Sequence, residues 1–482
     1  MSHFECYPYF WTVLCGIIYV DKLTSKIAET SDGRDMRQTT SYAVYIKEKE
    51  YQNILKETLE VYRAAVDYFI NVRLENADQF KGMSRNHEEV MLMEHLVHKT
   101  KENPEPKYDF DSKFYKFPSE YRRDAMAKAI ALVKSYESNL LRWDGKGKKP
   151  KKPKAGYSCP TLYKGLPKSY ERTGDLTAKI KVRIRNTWDW IDISLRKTDV
   201  DYIKKYCSRR REQSPLLQRC GKRWKLSFPF EETVSIRDVP IEEQIVLSAD
   251  LGINNACVCT VMTSEGTILG REFLSLPKEE DSLKHALNRT KKAQQHGARS
   301  VKSLWAVADG INKDIAVKTA HFIDEVSARY GCDTVVFEHL DTQGKKKGSK
   351  KQRLHLWKSR YVQKMMLIRA HRRGMRVSTV NAWNTSRLAY DGSGKVQRGK
   401  EAQLKSYSLC RFQSGKIYNC DLNAAYNIGA RYIIREKMKS LPETERLAME
   451  AKEPSCARRS TCTLSTLYNL NAALAVKAPQ VS

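Results

Sequence analysis

Between Ile245 and Phe273 the sequence places three short apolar runs around two breaks. Ile245-Val-Leu-Ser-Ala-Asp250 comes first and Ala256-Cys-Val-Cys-Thr-Val-Met262 second. Ile268 to Phe273 is third, after a Glu265-Gly266 turn. Runs this short read as strands, and breaks this tight join only antiparallel neighbours. Helical patterns over 282–298 and 311–330 then lead to Thr334-Val-Val-Phe-Glu338, a fourth strand. A helix over 355–373 leads to a fifth, Arg376 to Val380, and Tyr418-Asn-Cys-Asp421 runs into a helical pattern over Asn423 to Arg435. Helical crossovers bring strands back in parallel, so this half of the chain predicts one mixed sheet covered by helices.

Three carboxylates stand at the ends of these elements: Asp250, Glu338 and Asp421. Each follows an apolar strand or turn, so each can reach one open edge of the sheet. Hard oxygen ligands of this kind suit Mg²⁺, with Mn²⁺ as a substitute. Two such ions, roughly 4 Å apart, activate a water and stabilise the leaving oxygen of a phosphodiester. Taken singly, each acid also has a structural use. Asp250 can cap the turn into Gly252, Glu338 can pair with a following lysine, and Asp421 can serve as the N-cap of its helix. The joint placement separates the three from Asp309, Asp314, Asp333 and Asp341, which lack a strand-end or helix-start context.

Lys and Arg total 86 against 56 Asp and Glu, a net charge of +30, and 41% of the chain is hydrophobic. That is too much apolar material for a disordered basic tail, so a folded body that binds a polyanion is expected, nucleic acid first. Two basic runs stand out. Asp144 to Lys154 holds Lys148, Lys149, Lys151 and Lys152 between glycines and prolines. Gly344 to Arg353 holds Lys345, Lys346, Lys347, Lys350, Lys351 and Arg353 just after Glu338. Arg360, Arg372 and Arg373 follow on the next predicted helix. All are candidate phosphate contacts, and a solvated charge run is the alternative for each. Trp357 and His339 read as packing residues.

Upstream, 41–47 alternates as a strand and 49–75 is periodic as a helix. A second helix starts at Ser119, with Glu120 and Asp124 set to favour its dipole. Residues 178–195 read as a strand pair and Arg223 to Phe230 as a further strand, making 150–240 β-rich, a small barrel. Tyr7 to Val20 is apolar but short of the roughly 20 residues a membrane helix needs. No membrane span is expected, and residues 1–35 read as a dispensable extension. The twelve cysteines include no CxxC, and Cys257 and Cys259 face the same way along their strand. Cys410 and Cys420 are too few to complete a tetrahedral zinc site, so no zinc is expected.

Leu247-Ser-Ala-Asp-Leu-Gly-Ile-Asn-Asn255, Val335-Val-Phe-Glu-His-Leu340 and Asn419-Cys-Asp-Leu-Asn-Ala-Ala-Tyr-Asn-Ile-Gly429 resemble, in order, the three motifs of RuvC-type nucleases of the TnpB (OrfB transposon-associated) family. Compact type V CRISPR effectors share this layout. The intervals also fit, with 88 residues from Asp250 to Glu338 and 83 from Glu338 to Asp421. The resemblance is firm over about 240–436.

It implies a multidomain protein. An α/β ribonuclease H-like (RuvC) nuclease domain spans 241–383 and 418–482. A β-rich wedge-like barrel spans 36–48 and 150–240, with a helical recognition lobe at 49–149 and an inserted target-nucleic-acid-binding segment at 384–417. Asp250, Glu338 and Asp421 are then the catalytic residues and ligands of two Mg²⁺ ions. The implied partners are a guide RNA, from a transposon end or a CRISPR array, and target double-stranded DNA, with a homodimer on one guide as one arrangement. The implied activity is RNA-guided endonucleolytic cleavage after recognition of a short adjacent motif, in a prokaryotic cytoplasm at the nucleoid. Sequence choice then belongs to base pairing, in keeping with the lack of a helix-turn-helix or zinc-finger signature. A guide-loaded DNA-binding protein without cleavage, and a transposase or resolvase of the same fold, are the alternatives. One departure is clear: many relatives carry paired CxxC motifs between the second and third motifs, and this chain carries none.

Overall fold

The computed structural model describes residues 35–83, 85–101, 103–252, 256–339, 358–404, 406, 408–457 and 460–476. The apolar run at 7–20, the basic run at 344–353 and Trp357 lie outside them. Among the described residues, 37–232 form one compact unit and 233 onward a second.

The first unit holds seven strands: β1 (Asp35–Tyr45), β2 (Tyr170–Arg172), β3 (Thr177–Ile184), β4 (Thr187–Ser194), β5 (Arg211–Glu212), β6 (Leu216–Cys220) and β7 (Arg223–Ser235). β7 pairs with β1, β5 and β6, while β2-β3-β4 is a separate meander. The expected barrel therefore does not close. Physically, the apolar face of β3 (Ala178, Ile180 and Val182) is covered by helices instead of by a returning strand. The Tyr121 hydroxyl of helix Ser119–Leu141 donates to the Lys181 carbonyl at 2.6 Å. The Arg183 N–H donates to Thr58 Oγ1 of helix Gln52–Glu75 at 2.9 Å. One apolar core runs through these helices and strands alike. Asp124 is not a dipole partner, as the sequence suggested. It is a buried acceptor, taking hydrogen bonds from Tyr62 Oη at 2.6 Å, Thr161 N–H at 2.9 Å and Lys128 Nζ at 2.9 Å.

The second unit is built on β8 (Ile245–Asp250), β9 (Cys257–Thr263), β10 (Ile268–Leu274), β11 (Thr334–His339) and β12 (Arg376–Asn381). Their order is β10-β9-β8-β11-β12, antiparallel through β9 and β10 and parallel from β8 to β12. On one face lie helices Lys302–Arg329 and Ser359–Arg372, through Ala316, Ala320, Ile323, Val362 and Met366. On the other lies helix Cys420–Ser440, through Leu422, Ala425, Ile428 and Ile433. That helix approaches closely because residue 429 is glycine: a Cβ there would stand 2.6 Å from the Met262 methyl and 3.0 Å from Ser248 Oγ. Ser248 Oγ fixes the approach by donating to the Ala425 carbonyl at 2.8 Å.

Two helices begin earlier than the periodicity suggested. Pro277 opens one at its first turn, a position where the missing N–H does no harm. Lys302 opens the other, whose first turns pack through Trp305 and Ala308 on the Pro277–Gln295 helix and so escape the sheet-facing period. Three short strands, β13 (Gln397–Arg398), β14 (Leu409–Arg411) and β15 (Ile417–Asn419), form a small sheet before the last long helix. No helix among the described residues is long and apolar enough to cross a membrane.

Candidate active site

The three acids come to one edge of the five-stranded sheet. β8 and β11 are parallel neighbours, so Asp250 and Glu338 both stand near their carboxyl ends. Asp421 lies in the first turn of helix Cys420–Ser440. The expectation that Asp421 caps its helix is corrected: Asn419 is the N-cap, and its Oδ1 accepts the N–H groups of Asp421 and Leu422, both at 2.9 Å. With Asn419 doing the capping, Asp421 stands in the first turn, where its charge acts on Asp250.

Electrostatics tie the three together. Asp250 reaches the surface in part, yet its carboxyl is enclosed. Burial, then the charges of Glu338 and Asp421, push it well above the ordinary carboxylate range. Burial also raises Glu338, against the Thr385 hydroxyl and the Arg431 guanidinium, which hold it down. Thr385 Oγ1 donates to Glu338 Oε1, and Gln363 Nε2 donates to the Glu338 carbonyl at 2.9 Å. Among the described residues no three His, Cys, Asp or Glu side chains stand at metal-ligand spacing. The acids thus feel one another across the edge without forming a closed ligand set. Two enclosed carboxyls of raised proton affinity, Asp250 and Glu338, with a third acid beside them, fit a hard divalent cation, because such a charge would offset the cost of burying them.

The asparagines of the third motif have a role that the sequence did not disclose. Asn423 Oδ1 accepts the Tyr390 N–H and its Nδ2 donates to the Leu388 carbonyl, both at 2.8 Å. Asn427 Nδ2 donates to the carbonyls of Thr385 and Leu388 at 2.9 Å. Helix Cys420–Ser440 therefore grips the 385–390 turn and holds Thr385 against Glu338. Arg431, buried on the same helix, donates to the carbonyls of Asn381 at 2.7 Å, Trp383 at 2.8 Å, Ser460 at 2.9 Å and Cys462 at 3.0 Å.

Arg398, on β13, was also missed. Its positive charge lowers the proton affinity of Asp250, and it acts on Cys410 and Cys420 as well. Nη2 donates to the Ser386 carbonyl at 2.7 Å, while the buried Nε has no hydrogen-bond partner among the described residues. No periodicity or motif marks an arginine in so polar a stretch. Around it, Ala389, Cys410, Phe412 and Cys420 form a small apolar core with Tyr390, Val396 and Tyr418. The Cys410 thiol donates to the Tyr418 carbonyl at 3.5 Å.

The basic candidates separate. Lys148, Lys149, Lys151 and Lys152 lie exposed in an irregular segment. Lys345, Lys346, Lys347, Lys350, Lys351 and Arg353 lie outside the described residues. Arg360 is exposed at the start of helix Ser359–Arg372, on the side of the acids. That helix runs back to the opposite edge, so Arg372 and Arg373 end roughly 20 Å away, at about 1.5 Å per residue. Arg373 is also engaged, with Nε on Asp324 Oδ1 at 2.6 Å and Nη2 on Oδ2 at 3.2 Å. His339 is exposed just past Glu338. Cys257 and Cys259 do share a face, their sulfurs 3.5 Å apart.

The strand order, antiparallel through β10-β9-β8 and parallel from β8 through β11 to β12, is that of a ribonuclease H-like α/β fold. Comparison with known proteins narrows this. The Aq_aa04 family matches residues 38–184. The TnpB-like protein aq_aa05 of Aquifex aeolicus (strain VF5) is 25% identical over 236 residues, 45% of this chain and 76% of that protein. The uncharacterized protein aq_aa04 of the same organism is 26% identical over 140 residues, 27% of this chain and 78% of that protein. Among solved structures, Cas12f1 in a cryo-EM complex with sgRNA and target DNA matches with a TM-score of 0.50 and 14% identity, over 79% of this chain and 82% of that one. On sequence, then, the chain is similar to a TnpB-like protein, and on fold to Cas12f1.

Proposed function

We propose that the protein is an RNA-guided DNA endonuclease that cuts with the single site formed by Asp250, Glu338 and Asp421. The observation that carries this reading is the electrostatic state of Asp250, whose carboxyl is held far above its ordinary range by burial and by two acids from separate elements. A purely structural aspartate gains nothing from that placement; a cation site does. Asp250, Glu338 and Asp421 would hold Mg²⁺. When bound, it supplies charge for activating a water and for the leaving oxygen of the phosphodiester.

The chain's own contribution is orientation. Thr385 fixes one oxygen of Glu338 and leaves the other for the site. Asn419 keeps the Asp421 backbone in a helical first turn. Arg398 places a guanidinium beside the acids, where a scissile phosphate has to sit, and its unpartnered Nε is a donor suited to a phosphate oxygen. The first unit, with its exposed lysines at 148–152, would hold the guide RNA and the guide–target duplex. Recognition of the adjacent motif, and a homodimer on one guide, remain part of the same proposal. The related solved structure is itself a guide RNA and target DNA complex, which supports these partners.

The test is twofold. RNA that copurifies with the protein is sequenced, and linear DNA carrying a matching target is offered with Mg²⁺. Asp250→Ala is expected to abolish cutting while RNA retention stays unchanged. Normal cutting by that variant overturns the site, and the absence of any copurifying RNA overturns guidance.

A further inference from the structure

The first unit contains a cavity of about 350 Å³ between helix Gln52–Glu75, the 155–159 segment and strands β6 and β7. Four cations line it, Lys56, Arg63, Arg219 and Lys225, against the single carboxylate of Glu60. Lys56 and Glu60 form only an exposed pair at 3.7 Å. Trp224 also lines the cavity. It is 1% exposed, yet its indole Nε1–H has no hydrogen-bond acceptor among the described residues. That N–H is closed off from solvent, so Trp224 forms part of the cavity wall, and the binding surface is made by the cations.

Tyr157 stands at the same cavity with 92% of its surface exposed. It does not sit on a loose loop. On one side the Ala155 N–H donates to Asp67 Oδ1 at 2.6 Å, and on the other the Ser158 carbonyl accepts from Arg63 Nε at 3.0 Å. Both anchors are on helix Gln52–Glu75. A large ring presented to solvent on a backbone pinned at both flanks is a stacking platform for a base, because the segment that carries it is already ordered.

We propose that this cavity seats one nucleotide of a bound nucleic-acid strand, its phosphate on the cations and its base against Tyr157. The inference rests on the reading of the protein as a nucleic-acid binder, but not on cleavage. It concerns a site within the first unit, whereas the three acids belong to the second. The chemistry is shared by RNA and DNA, and an acidic protein surface would lack the flat base that Tyr157 is placed to receive.

The experiment measures affinity of the full chain, freed of copurified nucleic acid, for fluorescein-labelled single-stranded RNA, single-stranded DNA and duplex DNA across a salt series. Tyr157→Ala is expected to weaken binding of at least one probe about tenfold. Arg219→Gln is expected to lower the slope of log affinity against log salt by about one. Loss confined to RNA assigns the cavity to the guide, and loss confined to DNA assigns it to the target. Tyr115→Ala, at another exposed tyrosine of the same unit, serves as the control. Unchanged affinity in Tyr157→Ala and Arg219→Gln, or an equal loss in Tyr115→Ala, overturns the proposal while leaving the nuclease reading intact. A wild-type chain that binds none of the probes overturns the nucleic-acid reading itself.

Discussion

Asn419 Oδ1 accepts the backbone N–H of Asp421 at 2.9 Å, so the residue that caps the last long helix also holds the backbone of one of the three acids. An N-cap asparagine is worth about 1 kcal/mol, and its loss frays the first turn. Asn419→Ala is expected to lower stability by about that much in chemical denaturation and to reduce cutting more steeply than target binding. Asn419→Ser, which restores an acceptor, should recover most of both. Equal losses of cutting and binding would show that the cap serves folding alone.

The state of Asp250 predicts a pH dependence of stability. Its folded-state proton affinity is raised, by burial first and then by Glu338 and Asp421. Such an acid binds more protons folded than unfolded between the ordinary carboxylate value, about 4, and its raised folded value. Its contribution to stability therefore falls as pH rises through that window. Asp250→Asn removes the charge, so the variant should melt higher than wild type at pH 7–8 without divalent cations, by about 2–4 °C for each kcal/mol relieved. The two curves should converge towards pH 4. Added Mg²⁺ should raise the wild-type midpoint and leave the variant nearly unmoved. Parallel pH curves in thermal melts would remove the basis for a cation site here.

Thr385 separates legible from illegible parts of this site. Asp250, Glu338 and Asp421 were readable because each ends or opens an element whose apolar pattern is strong, and the order of those elements dictates the sheet. Thr385 reaches Glu338 only through a turn held by Asn423 and Asn427, a relation set by tertiary contacts that no local pattern encodes. Arg372 and Arg373 show a placement that sequence order does not give: they follow Arg360 closely in the chain, yet helix Ser359–Arg372 carries them to the far edge of the sheet. The barrel failed for a related reason: alternation marks β3 and β4 as strands but does not say that helices will cover their face.

Thr385→Val keeps the shape and removes the hydroxyl that restrains Glu338. Turnover of cutting is expected to fall about tenfold to a hundredfold, the scale of one lost orienting hydrogen bond, with little change in affinity for target. Thr385→Ser should restore it. Single-turnover cleavage at saturating target is the measurement, and a Val variant that cuts at the wild-type rate would leave Thr385 with no role at the site.

Arg431 is 4% exposed and donates to four backbone carbonyls on two separate segments. Replacing it by Met keeps the stem but strands those acceptors, so unfolding free energy should drop by about 3 kcal/mol. Arg431→Lys should rescue little, because one ammonium cannot span both the 381–383 and 460–462 carbonyls as a planar fork does. Denaturant midpoints that differ by less than the experimental scatter would mean that water satisfies those carbonyls instead.

Arg398 gives the sharpest division between binding and chemistry. Its guanidinium acts on Asp250, and it lies on the small sheet that precedes the last long helix, not on the five-stranded sheet. If it meets the phosphate only as charge develops in the transition state, removing it should slow cutting about a hundredfold to a thousandfold and leave target affinity within a few-fold. Arg398→Lys keeps the charge but loses the fork, and should fall between Arg398→Ala and wild type. A ground-state role predicts the opposite split, with affinity lost and the rate at saturation kept. Removing Arg398 also removes a charge that restrains Asp250, so the metal-free variant should melt below wild type at pH 7–8, where Asp250→Asn melts above it. Opposite shifts in melting with the same loss of cutting would distinguish an arginine facing the acids from one that merely packs the insert.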